Sequence, residues 1–333
     1  MFSPLTTAIF NDKVEIYDML LDLEKFDVNA VEENGLTPLI AAICHEDEDL
    51  VCFLLEDMNA DVNICDKNGI SPFLYAIKHE SNAIDLILNK ITNINHKDIV
   101  GNSPILVACC AEMIDIVEKL IIKGAEIHTS NLGGLSPLLI VANNGNGDIV
   151  KLLLENIKNR NDFEEIINHS DVKGLTPLIV SCMRGNFDIM KILHHTGADV
   201  TVLDAENFNA FMYACRGGHE NIIEYFIHNV RNAKIIEQIG KGGTTALDLS
   251  IRCGHENAVR LLLTYGCKPK HGYKNGCSAI MEAAILGYDK TVELVMYVVD
   301  NLYFDGKSLM YYAQNSGCEK LIKILQTREN TEF

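Results

Sequence analysis

The chain has 333 residues, a formal charge of -18 at neutral pH, eleven cysteines and no tryptophan. So acidic a balance repels nucleic-acid phosphates and anionic lipid headgroups, which argues against either as a partner. No stretch approaches the roughly 18 apolar residues of a membrane span, and Met1 to Phe10 lacks the basic region of a signal peptide.

In chain order, the first predicted element is a helix opened by Ser3-Pro4. A Ser or Thr hydroxyl accepts a free backbone N–H at a helix start, and proline in the first turn lacks only an N–H that would be orphaned there. The pair returns as Thr37-Pro38, Ser71-Pro72, Ser103-Pro104, Ser136-Pro137 and Thr176-Pro177, in steps of 34, 34, 32, 33 and 40 residues. Without the proline, the register continues through Asn209-Ala210, Thr245-Ala246, Ser278-Ala279 and Ser308-Leu309. A recurrence of this length predicts a repeat array of about ten helix-turn-helix units.

Each unit reads alike. A short apolar helix such as Leu39 to Ile43 carries small residues (Ala42, Ala76, Ala108) that let neighbouring helices approach. Later units end this helix with Gly145, Gly185, Gly218, Gly254, Gly287 or Gly317, suited to a left-handed cap. A second, amphipathic helix follows, as in Asp148 to Leu154. Two residues before each capping residue stands a turn glycine: Gly35, Gly69, Gly101, Gly134, Gly174, Gly243, Gly276 and Gly306, with Asn207 the exception. These predict β-hairpin-like turns demanding positive φ. Residues 155–168 and 229–241 interrupt the period, extending a second helix or the loop after it. Neither is a Pro/Ser-rich linker, so the expectation is one domain over 1–327, its units starting near 3, 37, 71, 103, 136, 176, 209, 245, 278 and 308, with a polar tail at 328–333.

The pattern resembles the ankyrin repeat family, on Gly35-Leu36-Thr37-Pro38-Leu39, Asp171-Val172-Lys173-Gly174-Leu175-Thr176-Pro177-Leu178 and Gly197-Ala198-Asp199-Val200. The resemblance implies an all-α solenoid and a binding scaffold without catalysis. Where that family usually has His two residues after the Pro, this chain has Ile40, Leu74, Leu106, Leu139, Ile179, Met212 and Asp248, so its turns need other hydrogen-bond partners.

No phosphate loop, catalytic triad, cofactor motif or metal-ligand spacing appears. His194-His195 lacks a third ligand, and His219 and His255 follow matched glycines as part of the repeat. Cys109, Cys110, Cys182 and Cys215 read as small core residues of a reducing, cytoplasmic compartment.

The binding candidates are periodic. Just after the turn residues come Leu36, Ile70, Leu135, Leu175 and Phe208, with Asn102 the polar exception; they form either an exposed interaction stripe or packing against the next turn. The ends of the inner helices offer His45 beside Cys44, Lys78, His79, Met183, Arg184 and Arg216 as rim contacts on the concave face the resemblance implies. In the first four units Asp12, Glu46, Glu80 and Glu112 replace the helix-ending glycine. They predict an acidic row that docks a basic segment of a partner protein, or simply solvated acids at a different turn. Residues 1–100 hold 6 Lys/Arg against 19 Asp/Glu, and 201–333 hold 14 against 15. Asn29 and Asn63 stand where ankyrin asparagines can be hydroxylated, or serve as turn-stabilising residues. The functional expectation is a monomeric scaffold that binds a protein. The alternatives are a recognition subunit for an enzyme or signalling complex on another chain, and a structural spacer.

Overall fold

The computed structural model describes residues 3–22, 26–230, 232–267, 279–298, 303–304, 307–317 and 319–329. Ser278, Gly276, Gly306 and residues 330–333 of the expected tail lie outside them. The chain divides into two compact units, Met1–Arg160 and Asn161–Phe333. The division falls inside the interruption at residues 155–168.

The first unit contains five helix pairs. They are Pro4–Phe10 with Val14–Asp22, Pro38–Cys44 with Glu48–Glu56, Pro72–Lys78 with Ile84–Lys90, Pro104–Cys110 with Ile114–Ile122, and Pro137–Asn144 with Gly147–Ile157. The second unit opens with a short helix, Phe163–Ile167, and continues with Pro177–Arg184 and Phe187–Thr196, then Ala210–Gly217 and Glu220–Asn229. After the short helix Ala233–Ile236 come Ala246–Arg252 and Glu256–Thr264, Ala279–Ile285 and Asp289–Val298, and Leu309–Ser316 and Glu319–Glu329. The last helix runs through Glu329, so residues 328–329 belong to it and not to a tail. One turn closes as a two-residue antiparallel pair, Tyr303 opposite Ser308 and Phe304 opposite Lys307.

The capping expectation can be checked bond by bond. Thr37 Oγ1 accepts from Ile40 N at 3.2 Å, Ser71 Oγ from Leu74 N at 3.3 Å and Thr176 Oγ1 from Ile179 N at 3.3 Å. Asn209 does the same for Met212 N at 2.9 Å. Thr245 forms a reciprocal capping box, because Asp248 reaches back to Thr245 N at 2.9 Å. Ser103 makes no such bond. Within each unit the first helices pack on one another in chain order, and every residue from Leu39 to Ile43 is buried. Each large aliphatic buried this way contributes about 1.5–3 kcal/mol.

The turns have solved the missing-histidine problem with an acid or amide at their first residue. Asp66 Oδ1 accepts from Asn68 N at 2.9 Å and Ile70 N at 2.7 Å. Asp98, Asn131, Asp171 and Asp204 repeat the arrangement. Tyr75 Oη donates to Asp66 Oδ2 at 3.1 Å, and Tyr213 Oη to Asp204 Oδ2 at 2.7 Å. Successive turns within a unit are then stitched through the backbone, Ile99 N to Asn68 O and Leu132 N to Val100 O in the first, Ala205 N to Lys173 O in the second, each at 2.9 Å.

Burial and the neighbouring carboxylate Asp66 push the Tyr75 phenol up to about 12, and burial with Asp47 does the same for Tyr17. A phenol raised above its unfolded value of ~10 stabilises the fold fully below that pH and stops doing so as pH rises through its folded value. An alkaline absorbance titration should therefore show these two tyrosines ionising near pH 12, together with loss of helix. Ionisation of all tyrosines near 10 with helicity intact contradicts the assignment.

Candidate partner-binding surface

The acids of the first four pairs occupy the place of a helix-ending glycine in backbone terms as well as in sequence. Asp12, Glu46, Glu80 and Glu112 have φ of 53°, 57°, 51° and 57°. Each closes the same six-residue cap: Lys13 N bonds Ala8 O, Asp47 N bonds Ala42 O, Ser81 N bonds Ala76 O and Met113 N bonds Ala108 O, at 2.9 to 3.2 Å. All four side chains are exposed. Because the first helices of this unit stack in chain order, the four carboxylates share one edge.

The second unit shows what fills the same corner when glycine is kept. A Cβ on Gly185 would stand 2.6 Å from the ring of His219, on Gly218 2.5 Å from that of His255, and on Gly254 2.7 Å from that of Tyr288. Each ring comes from the next pair, one residue past its own glycine. The two histidines also bond a carbonyl of the preceding helix, His219 to Met183 O at 3.2 Å and His255 to Arg216 O at 3.0 Å. The matching residues beside the acids are Asp47, Ser81, Met113 and Asn146, none of them a ring. The corner is open there, so a long carboxylate fits. Glu112 uses the space to accept from Asn146 Nδ2 at 3.3 Å.

The rim residues sit at the same corners. Lys78, Arg184 and Arg216 are exposed; His79 is half-buried and stacks on Tyr75, and Met183 is half-buried. His45 is exposed but tied down, its Nε2 2.8 Å from Phe10 O and its ring edge-on to Phe10.

The expected apolar stripe is only partly where the sequence placed it. Leu36, Ile70, Leu135 and Leu175 are half-buried. Phe208 is a correction: it is 7% exposed, with its ring laid over Gly240 and edge-on to Tyr213. Strongly exposed apolar side chains stand instead one residue past the start of three turns, where other turns have Glu33, Lys67 and Ala205. In the first unit they are Ile99 at 62% and Leu132 at 75%, with Val100 beside them at 49%; in the second, Val172 is at 74%. The sequence signal was the Asp or Asn at the turn start. Its carboxylate or amide oxygen gathers the following N–H groups, which leaves the next side chain at the tip.

Asn29 and Asn63 join neighbouring pairs. Asn29 Oδ1 accepts from Asp61 N at 2.8 Å, and Asn63 Oδ1 accepts from Thr92 N at 3.1 Å and Thr92 Oγ1 at 2.9 Å. Asn63→Ala should therefore cost about 1–2 kcal/mol in a denaturant melt; an unchanged midpoint contradicts the clamp.

Cys109, Cys182 and Cys215 are buried core residues, and burial pushes their thiols up. Cys110 is exposed, one position further round the helix. His194 Nδ1 and His195 Nε2 both contact Tyr225 Oη, at 2.8 and 3.1 Å. Among the described residues no group of three His, Cys, Asp or Glu is placed to hold a metal, and no helix is long and apolar enough to cross a membrane.

The signature of ankyrin repeats (3 copies) matches residues 2–66, 58–131, 105–204 and 196–272. The chain belongs to the ankyrin repeat family. Members of this family generally serve as protein-interaction modules. The chain is also similar to the human transient receptor potential cation channel subfamily A member 1, with 22% identity over 212 residues. That match covers 64% of this chain and 19% of the channel protein.

Proposed function

We propose that this ankyrin chain is a non-catalytic scaffold that binds a partner protein along its turn tips and the adjoining ends of its first helices. The observation that carries the reading is the consecutive exposure of Ile99, Val100 and Leu132 at stitched turn tips. Apolar side chains held out on a hydrogen-bonded backbone ladder lose little freedom on binding, which favours contact. The acidic edge of Asp12, Glu46, Glu80 and Glu112 supports a basic segment in the partner. In the first unit the rim residues His45, Lys78 and His79 supply polar and basic contacts at the same corners; Met183, Arg184 and Arg216 are the rim residues of the second unit. Free, buried thiols support a reducing, cytoplasmic setting. The channel activity in the relative's name belongs to a protein of which the chain spans about a fifth, and none is proposed here.

The test is affinity capture from lysate with the wild-type chain and with Ile99→Asp/Leu132→Asp. Both residues are exposed, so the variant should melt within about 0.5 kcal/mol of wild type. A stoichiometric partner held by the wild type and lost by the variant is expected. A spacer recovers nothing specific, and a partner retained equally by both proteins places binding elsewhere.

A further inference from the structure

The second helices of the second unit carry a side-chain cluster that partner binding at the tips does not use. His194 and His195 stand in the last turn of Phe187–Thr196, and Tyr225 stands on Glu220–Asn229 of the next pair. His194 Nδ1 is 2.8 Å from Tyr225 Oη, and His195 Nε2 is 3.1 Å from the same oxygen. Two imidazoles thus converge on one phenol oxygen, each through a different ring nitrogen. Phe187, on the helix that carries both histidines, lies edge-on to the Tyr225 ring at 5.9 Å and helps to fix its direction. His195 is exposed, and His194 and Tyr225 are half-buried, so an ion can reach them from solvent.

In the free protein the phenol donates to one imidazole and accepts from the other. The same positions suit a metal ion, which holds imidazole and oxygen donors at about 2.0–2.1 Å. At that length, donors at a right angle stand about 2.9 Å apart and donors at the tetrahedral angle about 3.4 Å. The two separations here, 2.8 and 3.1 Å, are nearer those of a right angle. The imidazole centroids are 6.0 Å apart. Two such rings at a right angle on one metal would stand about 4.5 Å apart, and two opposite each other about 6.3 Å. The donors therefore outline a T, with the imidazoles near opposite and the phenol oxygen between them. A tetragonal set of N and O donors selects copper(II) or nickel(II) over tetrahedral zinc. The adjacent histidines show only two donors in the sequence; the third comes from the next repeat, and as a tyrosine.

We propose that His194 Nδ1, His195 Nε2 and Tyr225 Oη form a site for one divalent copper or nickel ion. On binding, the phenol proton passes to solvent and the oxygen bonds the metal as a phenolate, with water in the remaining positions. The ion then fastens the last turn of one second helix to the next.

Nickel(II) chloride is the probe, because it does not oxidise the chain's thiols. Isothermal titration at neutral pH is read on the full chain, on His195→Gln and on Tyr225→Phe, with an ultraviolet difference spectrum for phenolate. Tyr225→Phe keeps the ring against Phe187, and circular-dichroism melts without metal check that both variants are folded. The thiols are the same in all three proteins and cancel in the comparison. We expect one nickel ion on the wild type, with a phenolate signal of one tyrosine, and affinity on the order of tenfold weaker in each variant. The phenolate signal should vanish in Tyr225→Phe. Equal affinity in wild type and Tyr225→Phe, or binding without a phenolate signal, would overturn the proposal, because the histidines or thiols alone would explain it. So would absence of binding to the wild type.

Discussion

Gly174→Val should lower the stability of the array by about 1–3 kcal/mol, and Gly35→Val should do at least as much. Both residues have positive φ, 83° and 89°, where a β-branched side chain is disfavoured. Space is the second reason. A Cβ on Gly174 would lie 2.9 Å from Asp204 Cα, and one on Gly35 would overlap the backbone at Asp66 and Lys67. The ladder that joins consecutive turns has to separate to admit it. Gly69 is a graded comparison, with φ of 71° and a closest approach of 3.3 Å, so Gly69→Val should lose less than Gly174→Val. Asn207, at φ 60°, already bears the strain, and Asn207→Gly should be neutral or stabilising. Denaturant melts with this order support the turn account; valine variants that melt like wild type contradict it.

Replacing Asp12, Glu46, Glu80 and Glu112 together by glycine should raise stability by about 1–3 kcal/mol in total. Each acid holds a left-handed conformation that glycine adopts freely. Each also stands by the negative end of a helix dipole. Loss of the Glu112 bond to Asn146 subtracts part of the gain. If the acidic edge serves binding, the stabilised variant should hold a captured partner more weakly and with a shallower salt dependence. Unchanged affinity across a salt titration removes the edge from the binding account even when stability rises. The reverse substitution, Gly218→Glu, should be strongly destabilising, because the ring of His255 fills the corner that stands open in the first unit.

The fold was legible because one short motif carries several physical demands at once. Thr176-Pro177 caps a helix, fixes its first turn and follows Gly174 at a fixed distance, so its recurrence reports the whole unit. The interaction surface was less legible. Leu175 and Val172 are both apolar, and so are their counterparts Leu135 and Leu132 in the preceding repeat. Which of them faces out depends on the turn's hydrogen bonds, since Leu175 closes the ladder onto Asp171 while Val172 stands at the tip. Phe208 adds a contact across sequence, because its ring needs Gly240 in the following turn. Tolerance of the acids was hidden for a similar reason. It depends on whether the next pair offers Ser81 or Met113, or a ring such as His219 and His255, about one repeat further along the chain.

The most direct test of the scaffold account is amide hydrogen exchange on the chain, free and bound to its captured partner. Added protection should concentrate at the turn tips, residues 98–102 and 131–135, and at the corners around Glu46, Glu80 and Glu112. Protection confined to the second helices, or none above the free protein, would contradict it.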